Sequence, residues 1–206
     1  MKITTVGIDL AKALFQVHGV DEHGRAVLRK QLKRKDVVSF FATLEPCLIG
    51  MEACGSAHYW ARKLTELGHS VRLMAPQFVK PYVKTNKNDR NDAEAICEAV
   101  ARPNMRFVPV KLPEQQAVLA LHRARQGLVK ARTAQANQIR GLLAEFGIVI
   151  PKGLGHVAKR LPEILEDGGN GLPAMMRQLM ERLGEHLKVL DHQVKEMQRQ
   201  IMLWHR

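Results

Sequence analysis

The sequence contains few cysteines, and their spacing does not fit a metal site or a disulfide framework. Cys47, Cys54 and Cys97 are the only three in 206 residues, an odd number without a CxxC pair. Such a set excludes a disulfide-stapled secreted domain and favours a reducing compartment. Cys54 and His58 are spaced like half of a metal site, but no second half follows. We therefore expect Cys54 to be a packing residue.

Long apolar runs and glycine-rich phosphate loops are also missing. No apolar run approaches the roughly 20 residues that a membrane-spanning helix requires. Residues 1–4 lead directly into a strand pattern and not into the apolar core of a signal peptide. The sequence thus predicts a cytoplasmic protein with no membrane partner. ATP-using kinases of the actin-like superfamily also open with a Gly-Ile-Asp strand, but they need glycine-rich loops that this chain lacks.

Positive charge, in contrast, is abundant. The chain has 32 Lys and Arg against 20 Asp and Glu, which gives a formal net charge of +12. Residues 102–160 contain 11 basic residues and only two acidic ones, Glu114 and Glu145. A segment this basic favours nucleic acid as the partner, and an ordinary solvated basic face is the alternative. The candidate binding residues in it are Arg123, Arg125, Lys130, Arg132 and Arg140.

Hydrophobic patterning divides the chain into an α/β part, residues 1–110, and a basic helical part, residues 111–206. In the first part, periodicity and turn signals predict five strands and three helices. The strands are predicted at 2–9, 14–20, 25–32, 47–51 and 70–74. The helices are predicted at 35–44, 56–67 and 89–102, and Ser56 is the expected cap of the second. A short helix or loop at 76–84 precedes the third helix. This order is that of the ribonuclease H-like fold, a mixed sheet with flanking helices, in which the first and fourth strands are neighbours.

Four carboxylates occupy positions typical of a metal site. Asp9 ends the first strand, and Glu52 follows the fourth; the C-terminal ends of strands are where open α/β sheets place their sites. Asp89 and Asp92, three residues apart, share one face of a helix. Carboxylates from three segments suit a hard cation such as Mg²⁺. Alternatively, Asp89 caps its helix, and Asp9 and Glu52 are ordinary strand-end residues.

The helical part is predicted to contain helices at 113–146 and 156–166 and a final helix with a heptad pattern. Two series of apolar residues alternate in that helix over four heptads, which predicts a coiled-coil seam. The first series is Met176, Leu183, Leu190, Met197 and Trp204. The second series is Met180, Leu187, Val194 and Ile201. The equivalent places in the 113–146 helix include Arg125 and Arg132, which are costly to bury. We therefore expect a homodimer, or a higher homo-oligomer, through this seam. The pattern still runs at Arg206, so we expect the chain to be part of a longer protein.

Three motifs in order carry a resemblance to a known family. Gly7-Ile-Asp9-Leu-Ala-Lys12, Met51-Glu52-Ala-Cys-Gly55 and Lys87-Asn-Asp89-Arg-Asn-Asp92-Ala together resemble the DEDD transposases of bacterial insertion sequences, the Piv/MooV or insertion-sequence-110 family, over about residues 3–150. The resemblance implies a RuvC-like domain in which Asp9, Glu52, Asp89 and Asp92 are catalytic and bind metal, followed by a coiled coil. It implies two Mg²⁺ ions, with Mn²⁺ as an alternative.

The resemblance also implies DNA as the partner, a nucleoid location when the protein is bound to DNA and, in some members, a non-coding guide RNA. Family members continue into a domain with a nucleophilic Ser, and this chain has no counterpart to it. The expected reaction is metal-dependent cleavage and exchange of DNA strands during transposition. Two alternatives stay open, a Holliday-junction-resolvase-like nuclease and a nucleic-acid-binding scaffold without turnover. Candidate phosphate ligands near the carboxylates are Lys12, Lys80, Lys84, Lys87 and Arg90.

Overall fold

A computed structural model of the chain describes residues 2–83 and 89–205, apart from the side chains of Asp89 and Arg90. The chain divides into two compact units, Met1–Leu112 and Pro113–Arg206. In the described part of the chain, no helix is both long enough and apolar enough to cross a bilayer.

The first unit is built on a six-stranded mixed sheet. In chain order the strands are β1 Thr5–Leu10, β2 Leu14–Val20, β3 Ala26–Lys33, β4 Leu48–Glu52, β5 Ser70–Met74 and β6 Phe107–Val108. Their order across the sheet is β3-β2-β1-β4-β5-β6. The first three strands form an antiparallel meander, β4 and β5 continue parallel to β1, and β6 is antiparallel to β5. The predicted ribonuclease H-like mixed sheet is therefore confirmed.

Helices cover both faces of this sheet. They are α1 Val37–Ala42, α2 Ala57–Glu66, α3 Pro76–Val79 and α4 Asp89–Val100, with 3-10 turns at Arg34–Asp36 and Lys80–Tyr82. On one face, Val6 and Ile8 of β1 belong to a buried core that includes Phe41 of α1 and Trp60 of α2. On the other face, α4 packs against β1, β2 and β4. The alternation of side chains along each strand keeps these two layers separate.

Two glycines set the position of α4. Gly7 of β1 and Gly50 of β4 are partners in the parallel register, so they lie side by side. A Cβ atom added at Gly7 would be 2.8 Å from the Cα of Cys97, and one added at Gly50 would be 2.7 Å from the Cβ of Val100. The sheet has no side chains at this point, and the helix therefore contacts its backbone directly.

Three predicted details of this unit were wrong or incomplete. The strand β6 was missed, because a pair of residues is too short to show periodicity. Ser56 precedes α2, but its side chain makes no capping hydrogen bond, and its backbone is left-handed with φ of 68°. Residues 34–36 form a 3-10 turn, so the first α-helix begins at Val37 and not at residue 35.

The second unit consists of three helices, α5 Pro113–Ala144, α6 Leu154–Glu166 and α7 Ala174–Trp204. The two long helices, α5 and α7, pack against each other, and α6 packs against both. Their shared core is apolar and buried, and it includes Ile139, Leu143, Val157, Leu161, Met180 and Leu187.

The seam of α7 has a partner within the same chain. Its second heptad series, from Met180 to Ile201, is buried, and α7 packs along α5. The two helices also share polar contacts, since Nη1 of Arg132 lies 2.5 Å from Oδ1 of Asp191 and Nδ1 of His186 lies 2.9 Å from Oε1 of Gln135. Pairing with Asp191 offsets part of the cost of enclosing Arg132. The prediction that the seam must find its partner in a second copy was therefore wrong.

A single arginine closes the end of α6. The guanidinium of Arg177, on α7, donates hydrogen bonds to four backbone carbonyls and one side-chain amide, those of Ile164, Leu165, Asp167, Leu172 and Asn170. The last carbonyls of a helix have no partner inside the helix. Arg177 satisfies several of them and fixes the loop between α6 and α7.

Replacing Arg177 with Met is expected to lower the free energy of unfolding of the second unit by about 2 to 3 kcal/mol, since several carbonyls lose a charged donor. Urea denaturation followed by circular dichroism measures this loss. Arg182→Met is the matched control, because Arg182 is exposed on the same helix. Equal denaturation midpoints for the two variants would show that the cap makes no net contribution.

Candidate active site

Asp9 and Glu52 are adjacent at the ends of the two central strands. The parallel register of β1 and β4 pairs Ile8 with Met51, and the two carboxylates are the next residue of each strand. Each lies two positions beyond a glycine that contacts α4, so both project on the α4 face of the sheet. Both are half-buried.

The direction of α4 brings its first turn toward the same end of the sheet. Near its middle, Sγ of Cys97 lies 3.6 Å from the carbonyl oxygen of Thr5, at the start of β1. One turn earlier, Ala93 lies against Gly7. Continuing toward the helix N-terminus leads to the end of β1, where Asp9 lies. Asp92 is half-buried in this turn, and the side chain of Asp89 is outside the described residues.

The thiol of Cys54 is influenced by both strand-end carboxylates. Partial burial raises the pKa of the Cys54 thiol, and the negative charges of Glu52 and Asp9 raise that pKa further. Because one thiol experiences both charges, the two carboxylates contribute to a single region of negative potential. Cys54 is itself exposed, so the prediction that it is a packing residue was wrong.

The donors at this end of the sheet suit a hard divalent cation. Asp9, Glu52 and Asp92 offer only carboxylate oxygens, which are ligands that Mg²⁺ and Mn²⁺ prefer. Adjacent carboxylates repel one another unless a cation lies between them. Among the described side chains, no three from His, Cys, Asp and Glu are close enough together to hold a metal ion. The convergence of all four predicted ligands therefore stays a prediction.

The predicted phosphate ligands near the carboxylates are only partly described. Lys12 is exposed in the turn between β1 and β2, three residues after Asp9. Lys80 is exposed at the 3-10 turn after α3. Lys84 and Lys87 lie outside the described residues, and so does the side chain of Arg90.

The predicted basic residues of α5 divide into two kinds. Arg132 is paired with Asp191, and Nε of Arg140 donates to the carbonyl of Ile150 at 2.9 Å, so both stabilise the second unit. Arg125 is half-buried. Arg123 and Lys130 are exposed on the helix surface, so they are the most accessible of the five candidates. Nucleic-acid binding by any of the five stays a prediction.

His58 is engaged away from Cys54. Its Nδ1 accepts a hydrogen bond from the backbone N–H of Lys111 at 3.2 Å, and its Nε2 lies 3.2 Å from Nζ of the same lysine. Burial lowers the pKa of His58, and the charges of Lys111 and Arg62 lower it further. A neutral His58 thus attaches α2 to the segment after β6.

Sequence reasoning missed a second basic segment, which lies in the first unit. Residues 25–35 contain six Lys and Arg and no acidic residue. They form β3, at the edge of the sheet, and the 3-10 turn that follows it. The signal was visible in the sequence, but the larger basic block at residues 102–160 obscured it.

The three thiols should differ in reactivity. Burial raises the pKa of Cys47 to about 11 and is the main cause that raises the pKa of Cys97 to about 12. N-ethylmaleimide is expected to label Cys54 alone in the folded protein, as mass spectrometry would show. An unfolded thiol ionises near pH 8.5, well below these folded-state values. The free energy of unfolding should therefore fall as the pH rises from about 9 to 12. Labelling of Cys97 at the rate of Cys54 would contradict its burial between α4 and the sheet.

The mixed sheet, with adjacent carboxylates at the ends of its two central strands, is that of a ribonuclease H-like domain. The family model for insertion-sequence-110-type DEDD transposases, described as "Transposase", matches residues 6–148. The chain belongs to this family, and the resemblance drawn from its three motifs is confirmed.

Individual relatives agree with this assignment. The chain is 54% identical over 202 residues to a Pseudomonas aeruginosa protein named "Probable family 20 transposase", covering 98% of this chain and 60% of that protein. It is 45% identical to the transposase for insertion sequence element IS1328 of Yersinia enterocolitica, covering 97% and 59%. It is 43% identical to the transposase for IS1111A of Coxiella burnetii, covering 97% and 55%. The chain thus spans between half and three fifths of the length of these relatives.

Proposed function

We propose that this chain is the catalytic part of an insertion-sequence transposase that cuts and rejoins DNA strands with the help of divalent metal ions. The observation that carries the proposal is the adjacent placement of Asp9 and Glu52 on the sheet face toward which α4 directs its acidic first turn. Membership of the transposase family supports DNA as the substrate. The match of this geometry to the family's carboxylate motifs supports the metal-dependent chemistry.

Four side chains have named roles in this proposal. Asp9, Glu52, Asp89 and Asp92 would hold two Mg²⁺ ions, with Mn²⁺ able to replace them and Asp9 shared between both. When bound, the ions stabilise charge on the attacking and leaving oxygens of a phosphodiester. Asp9 suits the shared position because β1 lies between β2 and β4 in the sheet, which makes it central to the other donors.

Basic residues supply the remaining contacts to nucleic acid. Lys12, exposed beside the end of β1, would hold the phosphate next to the cleaved bond through a charge-assisted hydrogen bond, with Arg90 as its counterpart on α4. Lys80, Lys84 and Lys87 would extend this phosphate contact. Arg123 and Lys130 suit the backbone of either DNA or a guide RNA. Strand exchange between two DNA ends also requires two active sites, and this supports a homodimer formed through a surface other than the α5–α7 seam.

A divalent-metal titration of the full-length transposase, with EDTA as the control, tests the proposal. The substrates are duplex DNA with an end of the insertion sequence, a four-way junction of unrelated sequence and unrelated duplex. The proposal expects metal-dependent cleavage of the element end alone. Cleavage of the junction regardless of sequence would indicate a resolvase-like nuclease. Binding without cleavage at any metal concentration would indicate a scaffold. Treatment with ribonuclease before the assay tests the contribution of a guide RNA.

A further inference from the structure

Most of the positive charge on the edge strand β3 and the turn after it has no carboxylate partner among the described residues. Arg29 forms an ion pair with Glu94, at a distance of 3.9 Å. No other described carboxylate pairs with Lys30, Lys33, Arg34 or Lys35. Lysines on an edge strand commonly prevent pairing with other chains. That role explains why β3 is charged. It does not explain why a row of polar side chains extends from β3 across the sheet.

A row of polar side chains crosses the sheet from Asp9 to β3. The register pairs Asp9 with Gln16 of β2, and Gln16 with Gln31 of β3. Residues paired in this way project on the same face, which here is the face that α4 covers. Arg29 and Lys33 lie two residues to either side of Gln31, so they share that face. We call Gln16, Arg29, Gln31 and Lys33 the β3 track.

The β3 track borders an open cleft beside α4. The cleft has a volume of about 160 Å³, and its lining includes Gln16, Arg29, Gln31 and Ala93. Ala93 directly follows Asp92, so one side of the cleft adjoins the acidic start of α4. The distance from β1 to β3 is two strand spacings, about 10 Å. The cleft and the track together connect the sheet edge to the candidate active site.

We propose that the β3 track binds the phosphates of the DNA strand to be cut and guides that strand to Asp9. This inference rests on the proposed function for the identity of the site. Arg29 and Lys33 are separated by about 13 Å along the strand, and each can pair with a phosphate. The two glutamine amides between them and Asp9 can donate hydrogen bonds to the same backbone.

Cations on the other face of the same strand provide a matched comparison. Lys30 alternates with Arg29 and Gln31, so it points toward α1, where its Nζ lies 4.7 Å from the centre of the Phe40 ring. Lys35 is exposed in the 3-10 turn. Lys30 also borders the cleft, but its charged end lies over the Phe40 ring. Removing these two charges therefore changes the net charge as much as removing Arg29 and Lys33, yet leaves the β3 track intact.

The experiment compares R29Q/K33Q with K30Q/K35Q in full-length transposase that also carries Asp9→Asn. Fluorescence anisotropy without divalent metal measures binding to single-stranded DNA from the element end, at several salt concentrations. We expect R29Q/K33Q to weaken binding about 10- to 100-fold and to reduce the salt slope by about 1 to 1.5. K30Q/K35Q should weaken binding less than about threefold. The same oligonucleotide made as RNA forms a second arm.

Three results would overturn the proposal. Equal losses in the two double variants would show a general charge effect, and no loss in either would show that β3 does not contact DNA. A loss for RNA alone would assign the surface to RNA. Because Arg29 also pairs with Glu94, thermal unfolding is measured for each variant, and the single variants K33Q and K30Q replace the doubles if R29Q/K33Q is unstable. Binding is measured without metal or cleavage, so absent cleavage by the wild type would refute the proposed function and not the strand contact.

Discussion

Replacing Asp9 with Asn is expected to reduce metal-dependent DNA cleavage by the full-length transposase on the order of 10³-fold or more, as the loss of a central catalytic carboxylate does in other enzymes. Asn keeps the size of the side chain but removes the negative charge that a divalent cation requires. DNA binding should change by less than about twofold, since affinity depends on contacts between cations and phosphates. Gel-based cleavage and anisotropy, measured on one preparation, report the two quantities separately.

Two further variants complete this test. Glu52→Gln should reproduce the loss of cleavage, because Glu52 is the neighbour of Asp9 on β4. Glu22→Gln, at an exposed carboxylate of the same unit, should leave cleavage unchanged. If Asp9→Asn keeps more than a tenth of the wild-type rate, Asp9 does not belong to the catalytic site. If binding falls in parallel with cleavage, catalysis and DNA contact are not separable at this residue.

Replacing Gly7 with Ala is expected to destabilise the first unit by about 3 kcal/mol or more, at the upper end of the cost of overpacking. The added methyl group would meet backbone atoms of α4 at Ala93 and Cys97. Backbone atoms cannot rotate away as a side chain can, so the helix itself must move. Asp92 would move with it, and cleavage should be lost together with stability. Denaturant titration and hydrogen exchange of the amides in α4 measure the two effects.

Gly55→Ala is the matched control for this substitution. Gly55 follows the same central region of the sheet, but a Cβ added there meets no atom within 4 Å. Its variant should unfold within about 0.5 kcal/mol of the wild type, as ordinary surface substitutions do. If Gly7→Ala is as stable as Gly55→Ala, the close approach of α4 to β1 is not maintained in solution.

Local signals were sufficient to predict most of the first unit. Apolar runs ended by glycine or a turn mark the strands, and the bounds of β2 and β5 agree with the predicted ones. The positions of Asp9 and Glu52 at strand ends could be predicted, because a carboxylate at the end of an apolar run is visible within a single segment of the sequence. The prediction that these two residues are neighbours came from the order of strands and helices, because that order identifies the fold.

The features that sequence reasoning missed depend on contacts between distant residues. Arg132 and Asp191 are 59 positions apart, and no heptad pattern shows that one will neutralise the other. Arg177 acts through backbone carbonyls, which look alike in any sequence. The β3 track combines two strands and a helix, so its polar row becomes visible only when the register is known.

The glycine contact beneath α4 has a consequence for engineering this protein. Because Gly7 and Gly50 alternate with Val6, Ile8, Ile49 and Met51, the substitutions that move the acidic helix and those that tune the apolar core fall on opposite faces of the same two strands. Volume-conserving changes on the core face usually cost less than about 1.5 kcal/mol. A library aimed at thermostability can therefore test volume-conserving changes in the layer beneath α1 and α2, while the two glycines stay fixed.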